Sequence, residues 1–195
     1  MTAAALKDGP RVGPNAVIQL AAALDERCGA AVTDAVFTAG EVLAFRRDPP
    51  TEMIPQDLAI RAHRALYATL ALDEAEAVAF EAGLRTGDYL LQHRIPKPAQ
   101  WLLQRLPKPI AADLLLAAIG KNAWTFTGSG RFAARREGCH VIIDLFENPL
   151  ATNPCAWHQG VVQRLFASLI TARVRVEETQ CCGTGASSCR FEFDV

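Results

Sequence analysis

Apolar side chains recur at helical spacing through the first two-thirds of the chain, and the period then falls to two. From Asn15, which reads as a cap, "AVIQLAAALDERCG" carries one apolar stripe and stops at Gly29; "AAVTDAVFTAG" continues as a second short helix to Gly40. "RRDPPTEMIP" breaks the pattern with a double proline that a helix interior does not tolerate. "QDLAIRAHRALYATL" sets Leu58, Ala62, Ala65, Leu66 and Leu70 along one stripe. Asp73 reads as the cap of the next long pattern, "EAEAVAFEAGLRTGDYLLQH", which Gly83 and Gly87 weaken. A near-repeat follows, "RIPKP" at 94–98 and "RLPKP" at 105–109, read as two proline-punctuated loops around a short helix. "IAADLLLAAIG" is then a compact apolar helix closed by Gly120.

Beyond Gly120, "AWTFTGSGRFAARREGCHVIIDLFENP" predicts successive strands with turns at "GSG" and "EG". "NPCAWHQGVVQRLFASLI" returns to a helix with Pro154 in its first turn, and Val161, Val162, Leu165, Phe166, Leu169 and Ile170 make a broad apolar face. "RVRVEET" and "CRFEFDV" are the closing strands. The expected fold class is α+β, with N-terminal helices packed on an antiparallel sheet and one helix inserted among the strands. The expected organisation is a loose arm at 1–14, a helical part at 15–109 and a sheet-bearing part at 110–195 that forms one compact unit with the helices.

At 195 residues, 50% hydrophobic and 21% charged, the chain has the make-up of a folded domain. A formal charge of −1 leaves no polyphosphate footprint, so nucleic acid is not an expected partner. No apolar run is long enough for a transmembrane helix, and the first residues lack the apolar stretch of a secretory signal. The expected compartment is the cytoplasm, where clustered cysteines point to metal or redox chemistry before disulfides. One local bias stands out: between Tyr89 and Ala112 there is no acidic residue, yet Arg94, Lys97, Arg105 and Lys108 accompany His93. Besides the plain loop reading, this is a basic, apolar-backed patch for a carboxylate-bearing ligand or an acidic partner.

The tail "VRVEETQCCGTGASSCRFEFDV" admits three readings: a disulfide staple, a metal site, or small buried side chains in a turn. Strand parity narrows them. Val174 and Val176 must face the core, and the same parity carries Glu178 inward; Phe191, Phe193 and Val195 face in, and so does Cys189. An inward carboxylate must be neutralised, paired or bound to metal. Thiolates and a carboxylate around one metal ion satisfy these groups together, with Cys155 as the natural fourth ligand. The alternative is that the thiols are simply buried and Glu178 reaches water at a frayed strand end. A disulfide between the adjacent Cys181 and Cys182 would be strained.

"EETQCCGTGASSCRFEF" resembles the closing motif of the 4-vinyl-reductase domain family, E-x-x-C-x-x-x-G-x-x-x-C-x-F, on Glu178, Cys181, Gly185, Cys189 and Phe191. "NPCAWHQGVVQRLF" is similar to the family's preceding segment, in which a Cys opens a helix. The resemblance covers roughly 110–195 and implies a fold shared with small transport-protein-particle subunits and aromatic-responsive sensor domains. It further implies a structural zinc on Cys155, Glu178, Cys181 and Cys189 beside a small-molecule pocket. Cys182 has no counterpart in the motif.

The family name implies reduction of a vinyl group on a bacteriochlorophyll precursor. The sequence offers no G-x-G-x-x-G after a strand, no P-loop and no iron–sulfur pattern, and a four-ligand zinc leaves no open position for chemistry. The expectation is therefore a carrier or accessory factor of bacteriochlorophyll synthesis, cytoplasmic or peripheral to the photosynthetic membrane, that binds a porphyrin or chlorophyllide intermediate and works with the pathway's enzymes. The alternatives are a vinyl reductase using an external reductant and a dimeric scaffold pairing through the helices at 15–39. Trp124, Phe126, Trp157 and Phe166 are candidate walls of an apolar cavity between helices and sheet. Among His63, His93, His140 and His158, the last has the best case for ligating a chelated magnesium, one turn from Cys155. Arg94 and Arg105 are candidates for the pigment's propionates.

Overall fold

Two apolar cores that meet along one helix organise the chain. The computed structural model describes residues 9–195; residues 1–8, the start of the expected arm, lie outside the described residues. Order reaches into that segment, because β1 (Arg11–Val12) pairs antiparallel with β2 (Ile54–Pro55) and Val12 is fully buried. The first core is helical: α1 (Asn15–Cys28), α2 (Ala30–Ala39), the short α3 (Ala44–Arg47), α4 (Gln56–Thr69) and α5 (Leu72–His93) enclose Leu20, Leu24, Val36, Phe37, Leu66 and Val78. The apolar faces of α1 and α2 are used up inside the chain, against this core rather than on a surface left for a second copy.

The second core lies under a four-stranded antiparallel sheet of order β3-β4-β6-β5, from β3 (Arg131–Glu137), β4 (His140–Phe146), β5 (Glu177–Gln180) and β6 (Ser188–Asp194). Val141, Ile143 and Leu145 of β4 and Cys189, Phe191 and Phe193 of β6 point inward, as their alternation requires. On the opposite face the carboxylate of Asp144 is held by Arg190 and Ser188. The inward side chains meet α6 (Lys97–Arg105), α7 (Lys108–Asn122) and α9 (Ala156–Leu169), the helix inserted between β4 and β5. The α+β arrangement is thus present, with helices first and one helix among the strands.

Helix α9 reaches both cores because it lies unusually close to α5. A Cβ on Gly83 would sit 2.2 Å from the Trp157 carbonyl oxygen, and one on Gly160 would sit 2.3 Å from that of Phe80. Gly83 therefore does not weaken α5, which runs unbroken for 22 residues; it lets the two backbones touch.

Several local expectations change. Pro14 and Ala71, not Asn15 and Asp73, occupy the cap positions, and Asn15 and Asp73 sit in the first turns of their helices. Each Lys-Pro pair opens a helix, α6 or α7, instead of punctuating a loop, since proline's missing N–H costs nothing in a first turn. Trp124–Thr127 is a single helical turn, α8, and not a strand. Pro154 precedes α9, whose cap is Cys155.

The "RVRV" stretch keeps the predicted parity without joining the sheet. Val174 and Val176 are buried, but β5 begins only at Glu177. Their backbone groups bond instead to amides on α9: Gln163 donates to the Val174 carbonyl at 2.7 Å and accepts from the Val176 N–H at 2.9 Å, and Gln159 donates to the Val176 carbonyl at 2.7 Å.

Candidate functional site

The N-cap of α9, the end of β5 and the start of β6 bring Cys155, Glu178, Cys181 and Cys189 to one point. One ligand atom from each lies within 4.8 Å of the others, and all three thiols are buried. The Cys155 sulfur stands 3.5 Å from that of Cys181 and 3.2 Å from that of Cys189. Glu178 Oε2 accepts from the Cys155 backbone N–H at 2.7 Å, while its Oε1 is buried without a partner. The loop that returns the chain makes this possible: Cys182–Thr184 form one tight turn, and Gly185, at φ +91°, takes the left-handed conformation that sends it into β6.

The electrostatics favour a cation here. Burial pushes the Glu178 carboxyl above its usual range, partly offset by the Cys155 N–H. Hydrogen bonds from the Cys155 thiol are the main cause lowering Cys181 and Cys189, the latter to about 7, while the same contacts and burial push Cys155 up. Further donors point at the sulfurs: Asn148 Nδ2 and the Cys182 N–H reach Cys189 at 3.4 and 3.3 Å, and the Gly183 N–H reaches Cys181 at 3.3 Å. A tetrahedral zinc with bonds of about 2.3 Å needs sulfurs about 3.8 Å apart, so thiols at 3.2 and 3.5 Å need only a small outward movement to accept it. Three thiols, a carboxylate with an orphan oxygen and amide donors behind them fit zinc. With four protein ligands, the ion would have no place for a substrate.

A second unusual feature lies one turn along α9. His158 is buried; its ring bonds the Phe126 backbone, leaving Nε2 buried and unpartnered. Burial, with His63 nearby, lowers its pKa to about 3. His63 of α4 is also buried, bonded to the Ala16 carbonyl at 3.0 Å and lowered to about 4 by burial. The Trp157 ring packs edge-on against both, 5.5 Å from His63 and 4.8 Å from His158. Phe126, 6.4 Å from His158, borders both cores, so this line of rings marks the seam between them. Among the described residues, Glu178 Oε1 and His158 Nε2 are the two buried side-chain polar atoms left without a hydrogen bond.

The chain is 40% identical over 189 residues to the bacteriochlorophyll synthase 23 kDa chain of Cereibacter sphaeroides, covering 94% of this chain and 90% of that one. It is 39% identical over 190 residues to the protein of the same name from Rhodobacter capsulatus, covering 94% and 87%. The chain belongs to the bacteriochlorophyll synthase 23 kDa chain family. The 4-vinyl-reductase domain matches residues 146–195 of this family member, the stretch that carries all four candidate ligands.

Among solved structures, this member of the 23 kDa chain family resembles H-NOX proteins in fold. An Fe(II) unliganded H-NOX protein from K. algicida matches with a TM-score of 0.61 at 10% identity, covering 93% of this chain and 95% of that one. A structure titled "Probing the function of heme distortion in the H-NOX family" matches at 0.60 and 10%, over 93% and 94%. An H-NOX protein from S. oneidensis matches at 0.53 and 10%, over 94% and 98%. At such identity the likeness is one of fold.

The remaining candidates do not converge on one pocket in this 23 kDa chain relative. Phe166 is plain core, its ring 4.6 Å from that of Phe193, and Trp124 is largely exposed. A cleft of about 640 Å³ is lined by Arg11, Pro14, Thr51, Glu52, Met53 and Arg94, and one of about 280 Å³ by Ala39, Gly40, Arg61, Arg64, Ala65 and Ala68; none of the four aromatic wall candidates lines either. Arg105 lies over the Trp101 ring on α6, away from the Arg94 cleft. His93 packs against Tyr89, and His140 sits between Asp194 and Glu192 at the sheet's exposed end. Sequence reasoning missed Asn148, an amide in an unremarkable "ENP" turn, and the contact of His63 with Trp157, which joins residues far apart in the chain.

Proposed function

We propose that this protein is an accessory factor of bacteriochlorophyll synthesis that holds or hands on a tetrapyrrole intermediate, with a structural zinc on Cys155, Glu178, Cys181 and Cys189. The observation that carries the pigment reading is His158. A neutral imidazole whose one nitrogen is occupied by the Phe126 backbone has its lone pair on Nε2, the form that ligates a metal. It is buried beside Trp157 and Phe126, aromatic surfaces suited to a flat macrocycle, on the seam where two cores can part. Membership of a family named for bacteriochlorophyll synthase, and a fold like that of H-NOX proteins, one of whose titles names heme, support the same chemistry.

The zinc reading is supported by the fit of the donor set, and a closed four-ligand site assigns the ion to structure. The ion then pins the β5–β6 hairpin to the cap of α9, which fixes the register of the helix that carries His158.

The experiment is a set of absorption spectra of the purified protein with protoporphyrin IX, its magnesium form and protochlorophyllide. The expected result is a shifted Soret band with the magnesium pigments at micromolar concentration, lost in His158→Ala while metal-free protoporphyrin is little affected. No shift with any pigment overturns the binding reading. Prompt loss of the 8-vinyl signature on adding divinyl substrate and nicotinamide cofactors overturns the carrier reading in favour of a reductase.

A further inference from the structure

The corner made by α6 and α7 exposes apolar side chains for which the fold has no use. Trp101, Leu102, Ile110 and Leu114 remain 57%, 47%, 51% and 48% exposed, while Leu103, Ala111, Ala112, Leu115 and Leu116 on the inner faces are buried. Single exposed leucines need no explanation, but four large apolar residues on one helix pair do.

Their surroundings have one sign. Lys97, Trp101 and Arg105 follow each other at four-residue spacing on α6, so a cation stands one turn to either side of the indole, and the Arg105 guanidinium lies 4.5 Å over its ring. On α7, Lys108 opens the helix and Ile110 and Leu114 form an outer stripe continued by Lys121. The first acidic residue after Tyr89 is Asp113, and Arg136 engages both its oxygens, at 2.8 and 2.6 Å. The polar amides of α6 turn inward to backbone: Gln100 to Leu91 and Ile95, Gln104 to Ser168. The outer surface thus offers cations and apolar groups with few directional hydrogen-bonding groups between them. That composition suits a chemically repetitive anionic surface better than a protein partner read by matched hydrogen bonds.

We propose that the α6–α7 corner is a membrane-docking face, which lays Trp101, Leu102, Ile110 and Leu114 into the headgroup–acyl boundary of a bilayer rich in anionic lipid and sets Lys97, Arg105 and Lys108 against the phosphates. This goes beyond the pigment reading and does not depend on it. Docking through this face would hold the protein at a surface where apolar pigments partition, with no helix of the described residues long and apolar enough to cross.

The test is co-sedimentation of the full chain, without pigment, with vesicles of phosphatidylcholine alone and of equal parts phosphatidylcholine and phosphatidylglycerol. Binding is expected to the anionic vesicles only, weakening as salt is raised. Lys97→Gln with Arg105→Gln should reduce affinity about twenty-fold, at roughly fivefold per basic residue. Trp101→Ala with Leu114→Ser should reduce it at least tenfold with unchanged circular dichroism, and Arg173→Gln, a loss of charge elsewhere, should bind within twofold of the parent. Absence of binding to anionic vesicles, equal binding to both vesicle types, or full binding by the double variants overturns the proposal; the first outcome would leave the face to an acidic protein.

Discussion

The backbone N–H of Cys155 donates a 2.7 Å hydrogen bond to Glu178 Oε2, tying the cap of α9 to the strand β5. The same carboxylate keeps its other oxygen buried and free, beside three thiols. One residue therefore both completes a helix cap and offers a donor to an ion.

Removing either end of this arrangement should be costly. Protein purified without added metal is expected to carry about one zinc per chain. Cys189→Ser should lose it together with about 3 kcal/mol of stability, roughly 9 °C in Tm. Glu178→Gln preserves a hydrogen-bond acceptor for Cys155 but removes the charge, so it should retain more stability than Cys189→Ser while binding zinc at least tenfold more weakly. Metal analysis and thermal melts check both; a fully stable, metal-free Cys189→Ser would discount the site.

The contact between α5 and α9 leaves no room for a methyl group at Gly83 or Gly160. Gly160→Ala should destabilise the protein by about 3 kcal/mol, against the usual small gain of alanine in a helix. Gly9→Ala, where nothing lies within 4 Å, should be close to neutral. Urea denaturation of the parent and the two variants measures the contrast.

His63 and His158 hold folded pKa values of about 4 and about 3, below the ordinary 6.5, because burial penalises their charged forms. A base with a depressed folded pKa leaves the unfolded chain binding the extra proton. Its stabilising effect is therefore full above pH 6.5 and is lost as pH falls towards the folded value. Each histidine should cost about 1.4 kcal/mol per pH unit between pH 6 and 4. Chemical denaturation from pH 7 to pH 4.5 should show this slope, and His158→Phe should roughly halve it.

Gln163 stands in for a missing strand partner of Val174 and Val176. Gln163→Leu leaves a backbone N–H and a carbonyl unsatisfied, at a cost of about 2 kcal/mol. Hydrogen exchange should report it locally, with the Val176 amide losing protection and the β6 amides keeping theirs.

Periodicity disclosed most of the architecture because burial acts on every residue of a helix or strand and leaves a regular trace. It located α1, α2, α4, α5 and α9 and the inward faces of β4 and β6. It failed where a short segment is fixed by its neighbours. Trp124–Thr127 has strand-like residues and forms a helical turn that packs Phe126 along the seam, and the RVRV stretch alternates like a strand but bonds to glutamines. The Lys-Pro pairs were legible as punctuation, but not as helix starts, since proline serves both uses.

For the candidate site, parity alone turned Glu178 and Cys189 inward, because a period of two leaves a side chain between buried neighbours no other direction. Which cysteine of the 181–182 pair joins them follows from the turn at Cys182–Thr184 and Gly185, a matter of local dihedral angles. The approach of Cys155 and Asn148, and the stacking of His63, Trp157 and His158, belong to tertiary structure. Repetition along one element determines the face on which a residue lies, and that much is written in the sequence. The distance between residues on different elements depends on how closely those elements pack, and here two glycines set that distance.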